Sequence, residues 1–422
     1  MSRLAKLIVL SLSVVVFLYV GLGFVLGKTA DDRTYRSLAV FGEVLERIQQ
    51  DYVEEPNLPL VTSGALHGLL EALDPLSSHM SPREYAEYKR MLQNNARGEI
   101  GAVLSKRFGY IVVVAVLPDS PAHKAGLRSG DILEAIVGFT TREMSVGQAQ
   151  ILLAGEPGTA VKVAVVRRGR IEPQDVDVVR AQIVMPRVLA DKLDPEVAYL
   201  RVPSLEAGKA NEVREKLVQF DRQGSRKLVL DLRDCARGEA SEAVAAARLF
   251  LPSGTIATLR GQTVARQEFA ADPAKVVWKH PMTVLISTST SGAAEVLAAG
   301  IAGNQRGDLV GARTFGSASE QKLISIDDAE GGVVILTVAN YYTPAGRSIP
   351  EEGVAPTVEV RAALTEDQAD IGDEEKPPVP LAEAPAPRMP SADDPVLRKA
   401  IELLKGEARK ADVLRPDVSR AA

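Results

Sequence analysis

The 422-residue chain opens with a long apolar run. Residues 7–27 are apolar except for two serines, and a run of this length spans a bilayer as a helix. Arg3 and Lys6 precede it, so residues 1–6 are expected to stay in the cytoplasm and the rest of the chain to lie outside. The run exceeds the usual core of a signal peptide, and no Ala-x-Ala site follows. Both features favour a transmembrane signal anchor over the alternative, a cleaved signal peptide.

After this run, the periodicity predicts a multidomain chain of the α+β or α/β class. Apolar residues recur first at helical spacing, then in short strands between glycine turns, then in strands that alternate with amphipathic helices. A stretch rich in proline and acidic residues follows, which is typical of an extended, disordered linker. The last stretch places Leu397, Ile401 and Leu404 on one face of a helix. The predicted regions are a short helical region at 34–96, a β-sandwich-like domain at 97–180, a mixed α/β domain at 181–362, a linker at 363–393 and an amphipathic helix at 394–410.

Composition and charge exclude several classes of function. A net charge of −5, from 50 basic and 55 acidic residues, gives no case for nucleic-acid binding. The single cysteine cannot form an intramolecular disulfide, and the four histidines are dispersed, so neither a metal nor another cofactor is expected. Asp74 and His79 are interpreted as a turn aspartate and a surface histidine rather than as catalytic groups.

The most specific motif runs from Ser120 to Leu133, where a short helix, a glycine cap and a tight turn lead into a strand. It resembles a PDZ domain, which adds a peptide strand to its sheet edge and holds the terminal carboxylate on backbone N–H groups. The resemblance places this carboxylate loop at Ile100, Gly101 and Ala102. Glu99 stands where the family commonly has glycine, and its carboxylate is expected to repel a bound C-terminus unless it points to solvent. A domain that packs on the rest of the chain and binds no peptide is the alternative.

A second motif is a predicted elbow between a strand at Thr283 to Ile286 and a helix at Ala293 to Gly303. Enzymes of the α/β class expose a nucleophile at such an elbow because only small side chains tolerate its tight backbone. The elbow, its Glu295, the turn Thr314-Phe315-Gly316 and the later Gln321 together resemble the C-terminal processing (tail-specific) serine proteases.

The resemblance implies a serine nucleophile, a lysine base and a glutamine that orients the lysine. The nucleophile position falls on Gly292 and the lysine position on Ser317, 25 residues later, while Gln321 keeps the orienting position. Of the glycine-rich segment that helps to form the family's oxyanion hole, Gly238 remains, and Arg237 replaces a glycine. Both catalytic side chains are therefore expected to be missing.

These expectations favour a catalytically inactive member, an adaptor or regulator that binds polypeptide C-termini or pairs with an active protease relative. One alternative is an active serine endopeptidase with a relocated dyad of Ser291 and Lys322, but Lys322 would face away from the site if its neighbour Gln321 faces it. Another alternative is a peptide-binding sensor in which the PDZ domain alone carries function. The predicted location is a bacterial inner membrane, crossed once, with the bulk of the chain in the periplasm. Self-association into a homo-oligomer is left open.

Overall fold

The structure is a computed structural model that covers most of the chain. The described residues are 32–93, 97–142, 144–167, 169, 172–326, 332–350, 352–360, 390–391 and 393–413. The predicted membrane span at 7–27 and almost all of the predicted linker at 363–393 lie outside them. Within these ranges, no helix is long and apolar enough to cross a membrane. The described residues form two compact units, divided between Ala65 and Leu66.

Helices and strands alternate along the described residues in the order that the periodicity predicts. The α-helices are α1 (Asp32–Asp51), α2 (Leu58–Glu71), α3 (Pro82–Gln93), α4 (Pro121–Lys124), α5 (Val146–Leu153), α6 (Lys209–Arg222), α7 (Ala240–Arg248), α8 (Ala293–Gly303) and α9 (Pro395–Val413). The strands are β1 (Ser78–Met80), β2 (Ala102–Arg107), β3 (Tyr110–Val116), β4 (Ile132–Ile136), β5 (Phe139–Thr140), β6 (Ala160–Val166), β7 (Gln174–Val179), β8 (Leu189–Lys192), β9 (Val197–Arg201), β10 (Lys227–Asp231), β11 (Thr255–Arg260), β12 (Gln267–Ala270), β13 (Met282–Ile286), β14 (Asp308–Gly311), β15 (Ser319–Ser325), β16 (Val333–Tyr342) and β17 (Val358–Glu359).

Strands β2 to β7 form a domain with one six-stranded sheet, in the order β2-β3-β4-β6-β7 with β5 paired to β4. It is a single sheet and not the sandwich-like pair that the sequence predicted, because α4 and α5 close its apolar face where a second sheet would pack. Ser145 begins α5 in a capping box with Gln148. Strand β2 lies at the edge of the sheet, so its outer backbone groups have no strand partner among the described residues.

The second sheet, in the order β17-β14-β13-β10-β9-β8, is parallel except for β8 at its edge. Alternate residues of β10 point to opposite faces: Leu228 and Leu230 pack with α6, α7 and α8, while Val229 packs with α9. Both faces are covered by helices, which explains the near-continuous apolar run in β10. The α9 side chains that face this sheet include Leu397 and Leu404, both buried, and Ile401, partly buried.

A third sheet joins β1, β16, β11 and β12, and β15 pairs with the other edge of β16. Glu320 lies opposite Ala339 and Gln321 opposite Thr337, so Val338 is the extra residue of a β-bulge. Asp74 is a turn aspartate, as expected, and accepts from the backbone N–H groups of Leu76 and Ser77 at 2.8 Å each.

His79 corrects the interpretation as a surface residue. It is only 3% exposed, because β1 pairs antiparallel with β16 and places His79 opposite Val334 within the third sheet. The sequence predicted a break between helices at this point but no strand.

A buried ion-pair network ties α9 to the second sheet. The Arg233 guanidinium donates to both Asp231 oxygens and, at 2.6 Å, to Asp394 at the start of α9. The Tyr199 hydroxyl donates to Asp231 at 2.6 Å. Burial alone would raise the pKa of Asp231, but the adjacent Arg233 charge and these donors hold it below the usual value.

Candidate active site

The predicted elbow joins β13 to α8, and Gly292 is its pivot. Gly292 is the N-cap of α8 with φ +60° and ψ −118°, a backbone conformation that residues with side chains rarely adopt. A Cβ added there would meet no atom within 4 Å. The position therefore has the strained backbone and the free space of a nucleophile elbow, but no side chain to react.

Glu295 fastens the elbow to the following turn. Its carboxylate accepts from the N–H groups of Gly292 (2.9 Å), Gly316 (2.6 Å) and Ser317 (2.8 Å), and from the hydroxyl of Thr314. Burial raises the pKa of Glu295, while these four donors act in the opposite direction. An acidic residue three positions after a helix N-cap was a visible signal for half of this arrangement. The contact between Glu295 and the turn could not be predicted from the sequence, because the two segments meet only in the folded chain.

Ser291 and Ser317 meet at the centre of the site. Their hydroxyl oxygens are 2.6 Å apart, which is a hydrogen bond in which either can donate. Ser291 is 4% exposed, and its N–H donates to the carbonyl oxygen of Cys235 at 3.0 Å. Neither hydroxyl is a base at neutral pH, so this pair cannot activate its own nucleophile.

Gln321 and Lys322 lie on β15, opposite Thr337 and Leu336. Both side chains are exposed. Among the described residues, no hydrogen bond joins either side chain to Ser291 or Ser317. The site thus contains a serine at the predicted position 291 but no lysine bonded to it.

A side chain crowds the segment that the resemblance assigns to the oxyanion hole. Gly238 has φ +135°, and a Cβ there would lie 2.2 Å from the carbonyl carbon of Leu205, so the glycine is required. Arg237 turns its guanidinium to Glu99 at 3.4 Å and to Glu206 at 3.9 Å. The N–H of Gly292 is already bonded to Glu295, which removes one elbow donor that could face an oxyanion.

The β2–β7 domain contacts all three segments of this site. Glu99 pairs with Arg237 of the oxyanion segment, and the hydroxyls of Ser129 and Ser289 bond at 2.7 Å next to the elbow. Arg107, at the end of β2, donates to the Phe315 carbonyl at 2.6 Å and stacks 4.0 Å from the centre of the Phe315 ring. No sequence signal indicated Arg107 or Ser129 as site residues.

The predicted carboxylate loop lies at the start of β2. Gly101 has φ +76°, and a Cβ there would lie 2.3 Å from the Ser120 Cβ. The carbonyls of Ile100 and Gly101 accept from Ala122 and Leu117, while no described residue accepts from their N–H groups. Free N–H groups at a left-handed residue suit an anion. The Glu99 side chain points to Arg237, an arrangement that differs from both expectations, repulsion of the peptide and exposure to solvent.

Residues 66–93, from the end of α2 through β1 and α3, contact α5 and β2. Lys106 of β2 is almost enclosed and pairs with Glu71 at 3.1 Å. Gln148 of α5 donates to Glu84 of α3, and Met80 fills the space above Gly147. The groove between β2 and α5, where a PDZ domain takes its peptide, therefore has this segment as one wall.

Comparison with known proteins agrees with both motifs. Residues 196–360 match Peptidase family S41, and residues 112–167 match the PDZ domain. The carboxyl-terminal-processing protease of Synechocystis sp. is 30% identical over 328 residues, which cover 75% of each chain. The carboxy-terminal-processing protease of Bartonella bacilliformis is 29% identical over 407 residues, 90% of this chain and 91% of its own. Among solved structures, the photosystem II D1 C-terminal processing protease shares the fold with a TM-score of 0.65 and 24% identity, over 76% of this chain and 92% of its own.

Proposed function

The chain belongs to the carboxyl-terminal-processing protease family, and we propose that it recognises polypeptide C-termini without cleaving them. The observation that carries this proposal is the elbow, where Gly292 keeps the strained backbone and the free space but offers no nucleophile. Ser317 occupies the family's lysine position and bonds to Ser291 rather than presenting a base. A serine–lysine mechanism requires both groups within hydrogen-bond reach, so the site cannot run it.

A relocated dyad of Ser291 and Lys322 gains no support from this geometry. The Ser291 hydroxyl is bonded to Ser317, and Lys322 is exposed on β15. The kept PDZ domain, with free N–H groups in its carboxylate loop, instead favours an adaptor or regulator that presents C-termini or pairs with an active relative.

The proposed location is the bacterial inner membrane, with the domains in the periplasm. This part rests on the apolar run at 7–27 and its basic flank. Partners would then be polypeptide C-termini exposed outside the cytoplasm. A reporter fused after Lys28 and active only outside the cytoplasm is the expected result; protein released from membranes by alkali would favour a cleaved signal peptide.

The test of the catalytic proposal is proteolysis of a denatured protein by the purified chain, with a serine-directed acylating probe in parallel. We expect neither cleavage nor labelling. The matched control is Ser291→Ala, since cleavage that this variant abolishes would establish a relocated nucleophile. If a chain without residues 181–362 binds polypeptide C-termini and acts in the cell as the full chain does, the result would instead favour the sensor in which the PDZ domain acts alone.

A further inference from the structure

The groove between β2 and α5 has a loop end and a far end. Gly98, which precedes β2, exchanges backbone hydrogen bonds with Gly155, which follows α5. The end of α5 therefore lies near the start of β2 and the carboxylate loop. The first turn of α5 lies toward the far end of the groove, where Lys106 is four residues and about 13 Å along β2 from Ala102.

Residues 66–93, the closing segment, contact both walls of the groove at this far end. On the β2 wall, Lys106 pairs with Glu71 at 3.1 Å. On the α5 wall, Gln148 in the first turn of the helix donates to Glu84. A peptide whose carboxylate lies in the loop meets the closing segment once it is longer than about four residues, because each residue of a strand advances by about 3.3 Å.

Two histidines lie beside these contacts. His67 of α2 is partly buried, and His79 of β1 is 3% exposed. Their ring centres are 6.1 Å apart, and the rings meet edge to face. The charged groups that act on His67 are Glu71, Glu84 and Lys106, one each from α2, α3 and β2. Both histidines thus belong to the cluster that joins the closing segment to the PDZ domain.

A proton on His67 works against this junction. Burial lowers the pKa of His67; His79 and Lys106 add to that effect, while Glu84 and Glu71 oppose it. The ring is therefore neutral at pH 7. The added proton costs less once the closing segment has separated from the PDZ domain and water reaches the ring, so acid favours the separated state.

We propose that His67 and His79 make the closing segment an acid-sensitive latch, which closes the far end of the PDZ groove at neutral pH and releases it in acid. A buried imidazole at an interface is the group that responds in this range. The link to peptide binding rests on the proposed function, in which the groove takes polypeptide C-termini. The release itself depends only on contacts within the chain.

Hydrogen exchange of the full chain without peptide tests the release. Rates are measured from about pH 7.5 to about pH 5 and corrected for the intrinsic pH dependence of exchange. The opening constant of residues 66–93 should rise by up to about tenfold for each pH unit below about 6.5, the ordinary pKa of histidine, until His67 is protonated in the closed state as well. Exchange in α8 should not change. Constant or stronger protection of residues 66–93 in acid would overturn the proposal.

His67→Gln removes the titrating ring and should abolish most of this acid dependence. The matched control is His280→Gln, which removes a histidine bonded to Asp221 at 3.0 Å and should keep it. The chain has four histidines, so NMR of a sample labelled only at these rings follows each one in the unchanged sequence. The His67 signal, identified by its loss in His67→Gln, should titrate below about pH 6.5. Titration at or above that value would overturn the proposal, as would acid-driven opening that persists in His67→Gln with His79→Gln.

Two peptides separate the latch from the proposed function. N-acetyl-Ala-Ala-Ala stops short of the far end, whereas a peptide of about eight residues with the same C-terminal sequence reaches it. A terminal carboxylate stays charged at about pH 5.5, because its pKa is about 3.5. Acid should strengthen binding of the long peptide severalfold and leave the short one unchanged, as measured by fluorescence anisotropy. The same pH dependence for both would overturn the latch; release without binding of either peptide would support it and count against the PDZ function.

Discussion

The elbow half and the oxyanion half of the candidate site differ from the pattern that the resemblance predicts, each in its own way. In the elbow half, Glu295 holds the backbone of the elbow and of the turn, while Gly292 and Ser317 stand where the resemblance predicts serine and lysine. In the oxyanion half, Arg237 stands where the resemblance predicts glycine, and its guanidinium reaches Glu99 and Glu206. The backbone geometry that a buried carboxylate holds does not depend on the side chains that react. Backbone donors in a glycine segment, in contrast, become inaccessible when a side chain covers them.

Restoring the chemistry gives the largest expected effect. Gly292→Ser with Ser317→Lys should yield little or no peptide cleavage, since Arg237 still covers the oxyanion segment. Adding Arg237→Gly should raise the cleavage rate by about a hundred- to a thousandfold if it recovers one oxyanion donor. Steady-state cleavage of a fluorogenic peptide measures both variants. Equal activity of the double and triple variants would show that the oxyanion half is still competent.

Removing the charge at Glu295 tests the elbow half. In Glu295→Gln one oxygen keeps its donors, while the new NH₂ group faces two of the existing donors. We expect a loss of about 2–4 kcal/mol in the free energy of unfolding, as for buried polar groups left unpaired, measured by urea denaturation. Glu239→Gln, at an exposed carboxylate, is the control and should change it by less than about 0.5 kcal/mol. A similarly small loss in Glu295→Gln would mean that the turn holds the elbow without this carboxylate.

The sequence predicted the elbow half better than the oxyanion half, for a physical reason. The elbow is local: small residues, a glycine pivot and an acid three residues into a helix are close in the chain, so Gly292, Glu295 and α8 could be predicted from spacing. Contacts between distant segments leave no such pattern. Arg237 and Glu99 were each recognised as a replaced glycine, but their pairing spans 138 residues and depends on how two domains pack.

The same reason explains the two errors in the fold. His79 follows a turn signal, and only pairing with β16, more than 250 residues later, buries it. The strands of the PDZ domain alternate as in a sandwich, and the packing of α4 and α5 decides that one sheet suffices.

Acid should weaken the second sheet through Asp231. Because the pKa of Asp231 is lower in the folded chain than in the unfolded one, its contribution is present above the unfolded pKa and is lost as pH falls below about 4. Asp231→Asn should reduce the free energy of unfolding by about 2 kcal/mol at pH 7, as for lost hydrogen bonds to a charged group, and should flatten its dependence on pH in the acid range. Asp175→Asn, at an exposed ion pair, is the control. If the free energy of unfolding of Asp231→Asn falls with acid as steeply as that of the unchanged chain, other carboxylates cause the acid sensitivity.

The smallest effect is expected at the contact between the PDZ loop and Arg237. An ion pair this exposed contributes about 0.2–1 kcal/mol. Arg237→Ala should weaken the binding of C-terminal peptides severalfold, because the Glu99 carboxylate loses its neutralising partner beside the loop. Glu99→Gly should strengthen binding, and the double variant should bind like Glu99→Gly alone. Fluorescence anisotropy of a labelled C-terminal peptide at two salt concentrations measures the affinity of each variant. Equal affinities for all four chains would show that Glu99 lies outside the carboxylate loop.

The packing of α9 has a consequence for how the chain is made. Synthesis proceeds from the N-terminus, and α9 begins at residue 395, 36 residues after β17 ends at 359. At about 5–20 residues per second, every strand of the second sheet is complete about 2–7 s before the helix that covers Val229, Leu285 and Val310. During this delay one whole face of the sheet is apolar and uncovered, so a nascent chain stalled between residues 360 and 394 would be prone to aggregate.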